Sequence, residues 1–300
     1  MEKIKLTFLG TGYAVPTAKR NHPAILLKYR DESILIDCGE GTQRQFRKLS
    51  LNPCKITRIL ITHWHGDHVL GIPGLIQTLE LNGYTKILEF YVPKGTGHYL
   101  ELIQKLFVHP GAIKIKVHEI TNGKVFETPH SLVQAEKMQH GTPCLSYSFV
   151  EKDKLKIDKK KMKKFKLKSS KFLGDIKKGK SINVNGKTIK PKDLVYEEKG
   201  RKISFVLDTK TNKNAEKIAK DSDILVCEST FTDEEKDLAG KYGHMTAAQA
   251  AQLAKKSKSK KLVLVHLSQR YENKEKMVLN EAKKIFKNTT IAEDLTNLEL

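Results

Sequence analysis

Apolar and polar residues alternate in a series of short segments along this chain. The period of two predicts strands near 4–9 ("IKLTFL"), 24–29 ("AILLKY"), 33–36, 56–61, 87–92 and 113–118, and again near 132–138, 145–150, 203–207 ("ISFVL"), 223–227 and 262–266 ("LVLVH"). Between some of them the spacing widens to that of an amphipathic helix, near 40–49, 70–81, 97–107, 213–220, 246–256 and 273–286. The strands fall in consecutive groups, and the helices are scattered rather than strictly alternating with them. That order predicts an α/β fold of two packed mixed sheets with helices outside, and it speaks against a doubly wound parallel sheet. At 300 residues, 39% of them hydrophobic, the chain can fill one large layered domain.

The strand series breaks between 150 and 203, and there the composition changes. The whole chain carries 55 Lys+Arg against 34 Asp+Glu, a formal net charge of +21. Between Lys152 and Lys192 stand seventeen lysines against only Asp153, Asp158 and Asp175. Most of the excess charge is therefore in one insertion with few large apolar residues. A solvated lysine-rich surface would look like this, but charge confined to one segment is what a polyanion-binding arm needs. Neither a secretory signal nor a membrane span is visible: the start "MEKIKLTFLGTGYAVP" has lysines at 3 and 5 where a signal peptide needs an apolar run. Cys38, Cys54, Cys144 and Cys227 form no C-x-x-C pair and read as reduced thiols of a cytoplasmic protein.

Directly after the apolar "ITRILI" comes "ITHWHGDH", with His63, His65, Asp67 and His68 in six residues. On a helix, residues two apart point to different sides, whereas in an extended segment His63, His65 and Asp67 share a face and His68 turns aside. Neutral imidazoles and carboxylates suit a divalent metal of borderline softness. At this chain's residue frequencies such a cluster arises by chance in about one chain in a thousand. The segment cannot complete a site alone, and a catalytic two-metal centre needs further ligands. His140, in "KMQHGTP", follows a strand pattern, while Asp208, in "FVLDT", and His266, in "LVLVHLS", each end an apolar strand. Strand ends are where layered α/β folds place their chemistry. Taken singly, Asp208 could be a helix cap and His266 a satisfied core histidine. His22, His98, His109, His118 and His130 have no such setting and read as surface or structural.

This series, H-x-H-x-D-H after a strand, then a lone histidine, a strand-terminal aspartate and a strand-terminal histidine, resembles the metallo-β-lactamase superfamily. "FLGTG" at 8–12, "DCGEGTQRQ" at 37–45, "HGTP" at 140–143, "CESTF" at 227–231 and "GHMTAAQAA" at 243–251 make it similar, more narrowly, to the short form of the ribonuclease Z family, the tRNA 3′-processing endonucleases. The match runs from residue 8 to 266, and "DCGEGTQRQ" and "GHMTAAQAA" are its most specific parts.

The resemblance implies an αββα sandwich formed by 1–150 and 197–300, with 151–196 inserted as a flexible Lys-rich arm that clamps tRNA. It implies two zinc ions per subunit, one on His63, His65 and His140, the other on Asp67, His68 and His266, with Asp208 bridging them. Asp67 would orient or deprotonate water, His244 would donate a proton to the leaving 3′ oxygen, and Glu228 would hold that histidine. The implied reaction is cleavage of precursor tRNA 3′ of the discriminator base, leaving a 3′ hydroxyl, by a cytoplasmic homodimer with no membrane partner. Another dinuclear hydrolase of the same fold, acting on small phosphodiesters or aryl sulfates, is the alternative, but such substrates need no basic arm. Three departures stand out. The N-terminal loop reads Pro16-Thr17-Ala18-Lys19-Arg20-Asn21, its lysine one place later than the family's; the arm lacks a Gly-Pro signature; and Met245 stands where a serine is common.

Overall fold

In a computed structural model of the chain, residues 2–106, 108, 111, 113–165, 172–177, 179–184 and 187–300 are described. Contacts divide it into two compact units: a larger one of Met1–Glu127, Val133–Phe149 and Lys202–Leu300, and a smaller one of Thr128–Leu132 and Val150–Arg201.

The larger unit opens with β1 (Lys5–Gly10), β2 (Ala24–Tyr29) and β3 (Glu32–Ile36), antiparallel neighbours, followed by β4 (Arg58–Leu60), β5 (Ile87–Pro93) and β6 (Lys114–Ile120), which add in parallel. Four helices fall among these strands: α1 (Thr42–Lys48), α2 (Gly66–Val69), α3 (Ile72–Leu81) and α4 (His98–Lys105). Next come β7 (Gly123–Glu127), β8 (Ser131–Lys137) and β9 (Leu145–Glu151). The smaller unit holds β10 (Lys154–Ile157), α5 (Lys159–Lys164), α6 (Phe172–Lys177), β11 (Ile182–Val184), β12 (Lys187–Ile189), α7 (Pro191–Leu194) and β13 (Val195–Glu198). The chain then returns through β14 (Lys202–Val206), α8 (Lys213–Ala219), β15 (Ile224–Glu228), α9 (Lys236–Tyr242), α10 (Ala247–Lys256), β16 (Leu262–Val265), α11 (Glu275–Ile285), β17 (Thr289–Ile291) and β18 (Asn297–Glu299).

Two seven-stranded sheets result, ordered β18-β1-β2-β3-β4-β5-β6 and β17-β16-β15-β14-β9-β8-β7. The alternation of apolar residues explains how they stack. Leu6, Phe8, Ile25, Leu27, Ile34 and Ile36 of the first sheet share one buried cluster with Tyr147, Phe149, Ile203, Phe205, Val226 and Val263 of the second. The opposite strand faces bury separate clusters, Leu26, Leu35, Ile59 and Phe90 with Phe46, Ile72, Leu75 and Ile76, and Val206, Leu225 and Leu264 with Ile218, Ala250, Ala251 and Val278. Sheet packs on sheet and helices cover both outsides, the α/β sandwich of two mixed sheets that the periodicity predicts. Removing one fully buried aromatic from such a core costs about 3–5 kcal/mol. The two C-terminal strands escape the sequence reading because each is only three residues long. β18 forms only because it finds an antiparallel partner in β1. Among the described residues no helix is long and apolar enough to cross a membrane.

The smaller unit has a core of its own. Ile176, Ile182, Ile189 and Leu194 are buried together, with Met162, Phe165 and Val195 packed against them. Its base is tied by the β10–β13 ladder and by Glu151, whose carboxylate accepts from the Arg201 guanidinium at 2.6 Å. The sequence hides this core because its apolar residues stand singly among lysines. Residues 166–171, with three lysines of the arm, lie outside the described residues, as does His109.

Candidate active site

Four of the candidate ligands stand just beyond the carboxyl ends of strands. His63 follows β4, His140 follows β8, Asp208 follows β14 and His266 follows β16. Three residues at such ends adopt left-handed backbone: Asp37 after β3 at φ 57°, Asp208 at 45° and His266 at 60°. None is a glycine, and a non-glycine residue held there is the kind of local strain that collects at functional sites.

The extended reading of "ITHWHGDH" holds only as far as His65. That residue is the N-cap of α2, with extended backbone, and the chain then turns into a single helical turn in which the His68 amide donates to the His65 carbonyl at 3.0 Å. Asp67 and His68 are therefore presented by a helix. His68 is not turned aside; it is fully buried among the carboxylates. Two features bring this turn in. Asp67 lies in the first helical turn, where a carboxylate suits the helix dipole. Gly39 permits the close approach, since a Cβ there would lie 2.4 Å from the Asp67 carbonyl oxygen.

The side chains converge as two groups. Ligand atoms of His63, His65 and His140 lie within 4.8 Å of one another, as do those of Asp67, His68, Asp208 and His266. Asp208 stands between them: its Oδ2 is 3.6 Å from His63 Nε2 and 3.3 Å from His68 Nε2, and its Oδ1 is 3.2 Å from His266 Nε2. His65 Nδ1 and His140 Nε2 are 3.1 Å apart, and His68 Nε2 and His266 Nε2 are 3.3 Å apart. Four ligands held tetrahedrally at zinc–nitrogen bond lengths would be about 3.3–3.4 Å from each other.

Other groups fix which nitrogen faces inward. Asp37, fully buried, accepts from His68 Nδ1 at 2.7 Å and from the Thr62 hydroxyl at 2.8 Å, and that hydroxyl lies 3.1 Å from His63 Nδ1. His140 Nδ1 donates to the Gly243 carbonyl at 3.0 Å, and His266 Nδ1 meets the Thr230 hydroxyl at 2.9 Å. Nε2 of His63, His68, His140 and His266 is thereby left for the centre, while His65 presents Nδ1. Partners of this kind orient metal-binding imidazoles and set their tautomers. Gly243 must be glycine to do this: its φ is 79°, and a Cβ would lie 2.9 Å from His140 Nδ1.

The electrostatics ask for a cation. Burial raises the pKa of Asp208, but His266, His68 and His63 more than reverse this and hold it well below the usual carboxylate value. Burial alone would discharge His68, yet Asp208, Asp37 and Asp67 hold its pKa well above the usual value. Burial, with the charge of His68, keeps His63 neutral and ready to be a ligand. His63 Nε2 and Asp208 Oδ1 are buried without a hydrogen-bond partner among the described residues. Orphaned acceptors, neutral imidazoles and buried carboxylates together fit divalent cations.

His244 stands at the same edge, its ring nitrogens also within 4.8 Å of ligand atoms of His140 and Asp208 and of Glu228 and His266. Its Nδ1 lies 3.2 Å from Glu228 Oε2. Glu228 also accepts from the Thr209 amide at 2.5 Å, the Thr230 hydroxyl at 2.8 Å and the Met245 amide at 3.1 Å, so its position is fixed. Burial lowers the pKa of His244, but the Glu228 charge and hydrogen bond outweigh it and raise the pKa to about 9. Met245, in the place of a serine, is a fully buried plug in the core under α10.

Nothing in the sequence assigned roles to Asp37, Thr62 and Thr230, although "DCGEGTQRQ", "ITHWHGDH" and "CESTF" contain them. The remaining described histidines are structural or peripheral: His118 stacks on Tyr91 at 4.5 Å between ring centroids, His22 is buried with Nε2 donating to the Ala14 carbonyl, and His98 and His130 are exposed.

Comparison with known proteins bears on the whole arrangement. Residues 4–158 match the family described as anti-Pycsar protein Apyc1, a span that ends before Asp208, His244 and His266. Ribonuclease Z of Methanothermobacter thermautotrophicus is 37% identical over 298 residues, 99% of this chain and 97% of that protein. Ribonuclease Z of Nanoarchaeum equitans is 39% identical over 264 residues, 88% of this chain and 83% of that protein. Among solved structures, the short form of human tRNase Z superposes with a TM-score of 0.72 at 28% identity, covering 98% of both chains. The metallo-β-lactamase fold protein YhfI of Bacillus subtilis reaches a TM-score of 0.71 at 17% identity over all of both chains, a likeness of fold.

Proposed function

The chain belongs to the ribonuclease Z family, its first half also falling in the Apyc1 family, and from that premise we propose that it cuts precursor tRNA 3′ of the discriminator base and leaves a 3′ hydroxyl. It is a metal-dependent tRNA 3′-processing endoribonuclease of the metallo-β-lactamase fold. The observation that carries the finer reading is the position of Asp208 between two three-ligand groups. We assign one zinc to His63, His65 and His140, a second to Asp67, His68 and His266, and Asp208 to both. Held there, two such cations would supply Lewis-acid stabilisation of the phosphate and would lower the pKa of the attacking water.

The chain's own groups handle the protons. Asp67, its pKa held down by His68 and His266 against the effect of burial, stays an acceptor able to orient the water for attack on phosphorus. As the bond from phosphorus to the 3′ oxygen breaks, His244 gives that oxygen a proton from Nε2, while Glu228 steadies the ring through Nδ1. The new oxygen stays on the trailer's 5′ phosphate, and the tRNA keeps its hydroxyl.

The smaller unit we assign to binding the tRNA by sequence-independent phosphate contacts, its lysines releasing counterions as they bind. A small body with its own core suits an arm that serves the tRNA at a second protomer, and a homodimer is part of the proposal. Four free cysteines suit a cytoplasmic protein.

Excising 158–194 and joining Ile157 to Val195 through an Asn-Gly turn tests the arm, because those two residues are already paired across the β10–β13 ladder. Cleavage of precursor tRNA is expected to fall at least tenfold and to lose its steep dependence on salt, with hydrolysis of a small phosphodiester unchanged. Equal losses on both substrates would refute the assignment.

A further inference from the structure

The segment that carries Tyr13 is clamped to the metal edge. The His266 and Leu267 amides both donate to the Thr11 carbonyl, at 2.9 and 3.3 Å, and Gly12 bridges to Leu267. On the return side the Gly12 amide donates to the Asn21 carbonyl at 2.8 Å. Arg20, buried, donates through Nη1 to the Thr11 hydroxyl at 2.6 Å and the Ala292 carbonyl at 2.7 Å. That arginine is a strut of the loop. Tyr13 is consequently held against the very residues that carry the chemistry: its ring centroid is 5.2 Å from that of His266 and 5.4 Å from that of His244, each edge to face at 89° and 82°.

The ring is half-buried, and its hydroxyl makes no hydrogen bond among the described residues. Other donors beside it are committed: the Thr230 hydroxyl to Glu228, and His244 Nδ1 likewise. A fixed, uncommitted donor next to the proposed acid has the setting of a group that meets the substrate.

We propose that Tyr13 is a substrate-contacting residue, its ring walling the site beside His244 and its hydroxyl donating a hydrogen bond to a non-bridging oxygen of the scissile phosphate. This inference rests on the phosphodiester reading above. A neutral donor to a charged oxygen contributes about 10- to 100-fold. Tyr13→Phe keeps the ring and removes only the hydroxyl, so the fold and the clamp should survive.

The test measures kcat and KM of the zinc-loaded wild type and Tyr13→Phe on precursor tRNA and on bis(p-nitrophenyl) phosphate. Zinc content, melting temperature and competitive inhibition by inorganic phosphate are read in parallel. The expected result is a kcat lower by about 10- to 100-fold on both substrates and weaker inhibition by phosphate, with zinc content and melting temperature unchanged. Equal rates for the two proteins would overturn the proposal, and a loss confined to precursor tRNA would overturn the phosphate contact in favour of a base contact. A wild type that cuts neither substrate would instead remove the underlying reading.

Discussion

Asp208→Asn is expected to lower cleavage by at least about 10³-fold and to reduce the bound metal measured by atomic emission. The reason is geometric. Its Oδ2 faces His63 and His68 and its Oδ1 faces His266, so that one carboxylate reaches toward both groups of ligands. The amide keeps the shape but removes the charge, leaving an environment arranged for cations with less to hold them. Loss of several kcal/mol of transition-state stabilisation corresponds to the stated factor. Normal metal content together with normal turnover in this variant would show that Asp208 does not bridge.

His244→Ala is expected to separate metal binding from proton transfer. Turnover of precursor tRNA should fall by about 10²–10⁴-fold while metal content stays at the wild-type level, since losing a positioned general acid has that effect. A substrate with a nitrophenolate leaving group needs no proton, so hydrolysis of bis(p-nitrophenyl) phosphate should be nearly spared. The pH dependence has a definite sign. His244 must carry its proton to act, so turnover is lost as pH rises through its pKa, which is raised to about 9 by Glu228 against burial. Nearby cations oppose that rise, placing the alkaline limb at or below about pH 9. The alanine variant should lack the limb. Equal losses on both substrates would contradict the assignment of His244 as acid.

Much of this centre was legible because its residues obey simple spacing rules. His63 and His65 share a face of an extended segment, and Asp208 and His266 end strands whose apolar runs are plain in sequence. His68 was misread because one residue decides it: at Gly66 the backbone turns from extended to helical, and the pattern of side chains rotates with it. Asp37 escaped for a different reason. Its role is to hold His68 and, through Thr62, to orient His63, a relation between residues 25 and 31 positions apart that only the fold reveals. The arm's charge is evident from composition, whereas its core is not, because Ile176, Ile182, Ile189 and Leu194 follow neither strand nor helix period and meet only once folded.

The most direct measurement is to incubate the purified, zinc-loaded protein with a precursor tRNA bearing a 3′ trailer, and to map the cut at nucleotide resolution across a salt series. A single cut 3′ of the discriminator base, with a 3′ hydroxyl on the tRNA and cleavage falling steeply as salt rises, is the expected result. No cut by metal-replete protein that still hydrolyses a small phosphodiester would contradict it and return the chain to the small-substrate hydrolases of this fold.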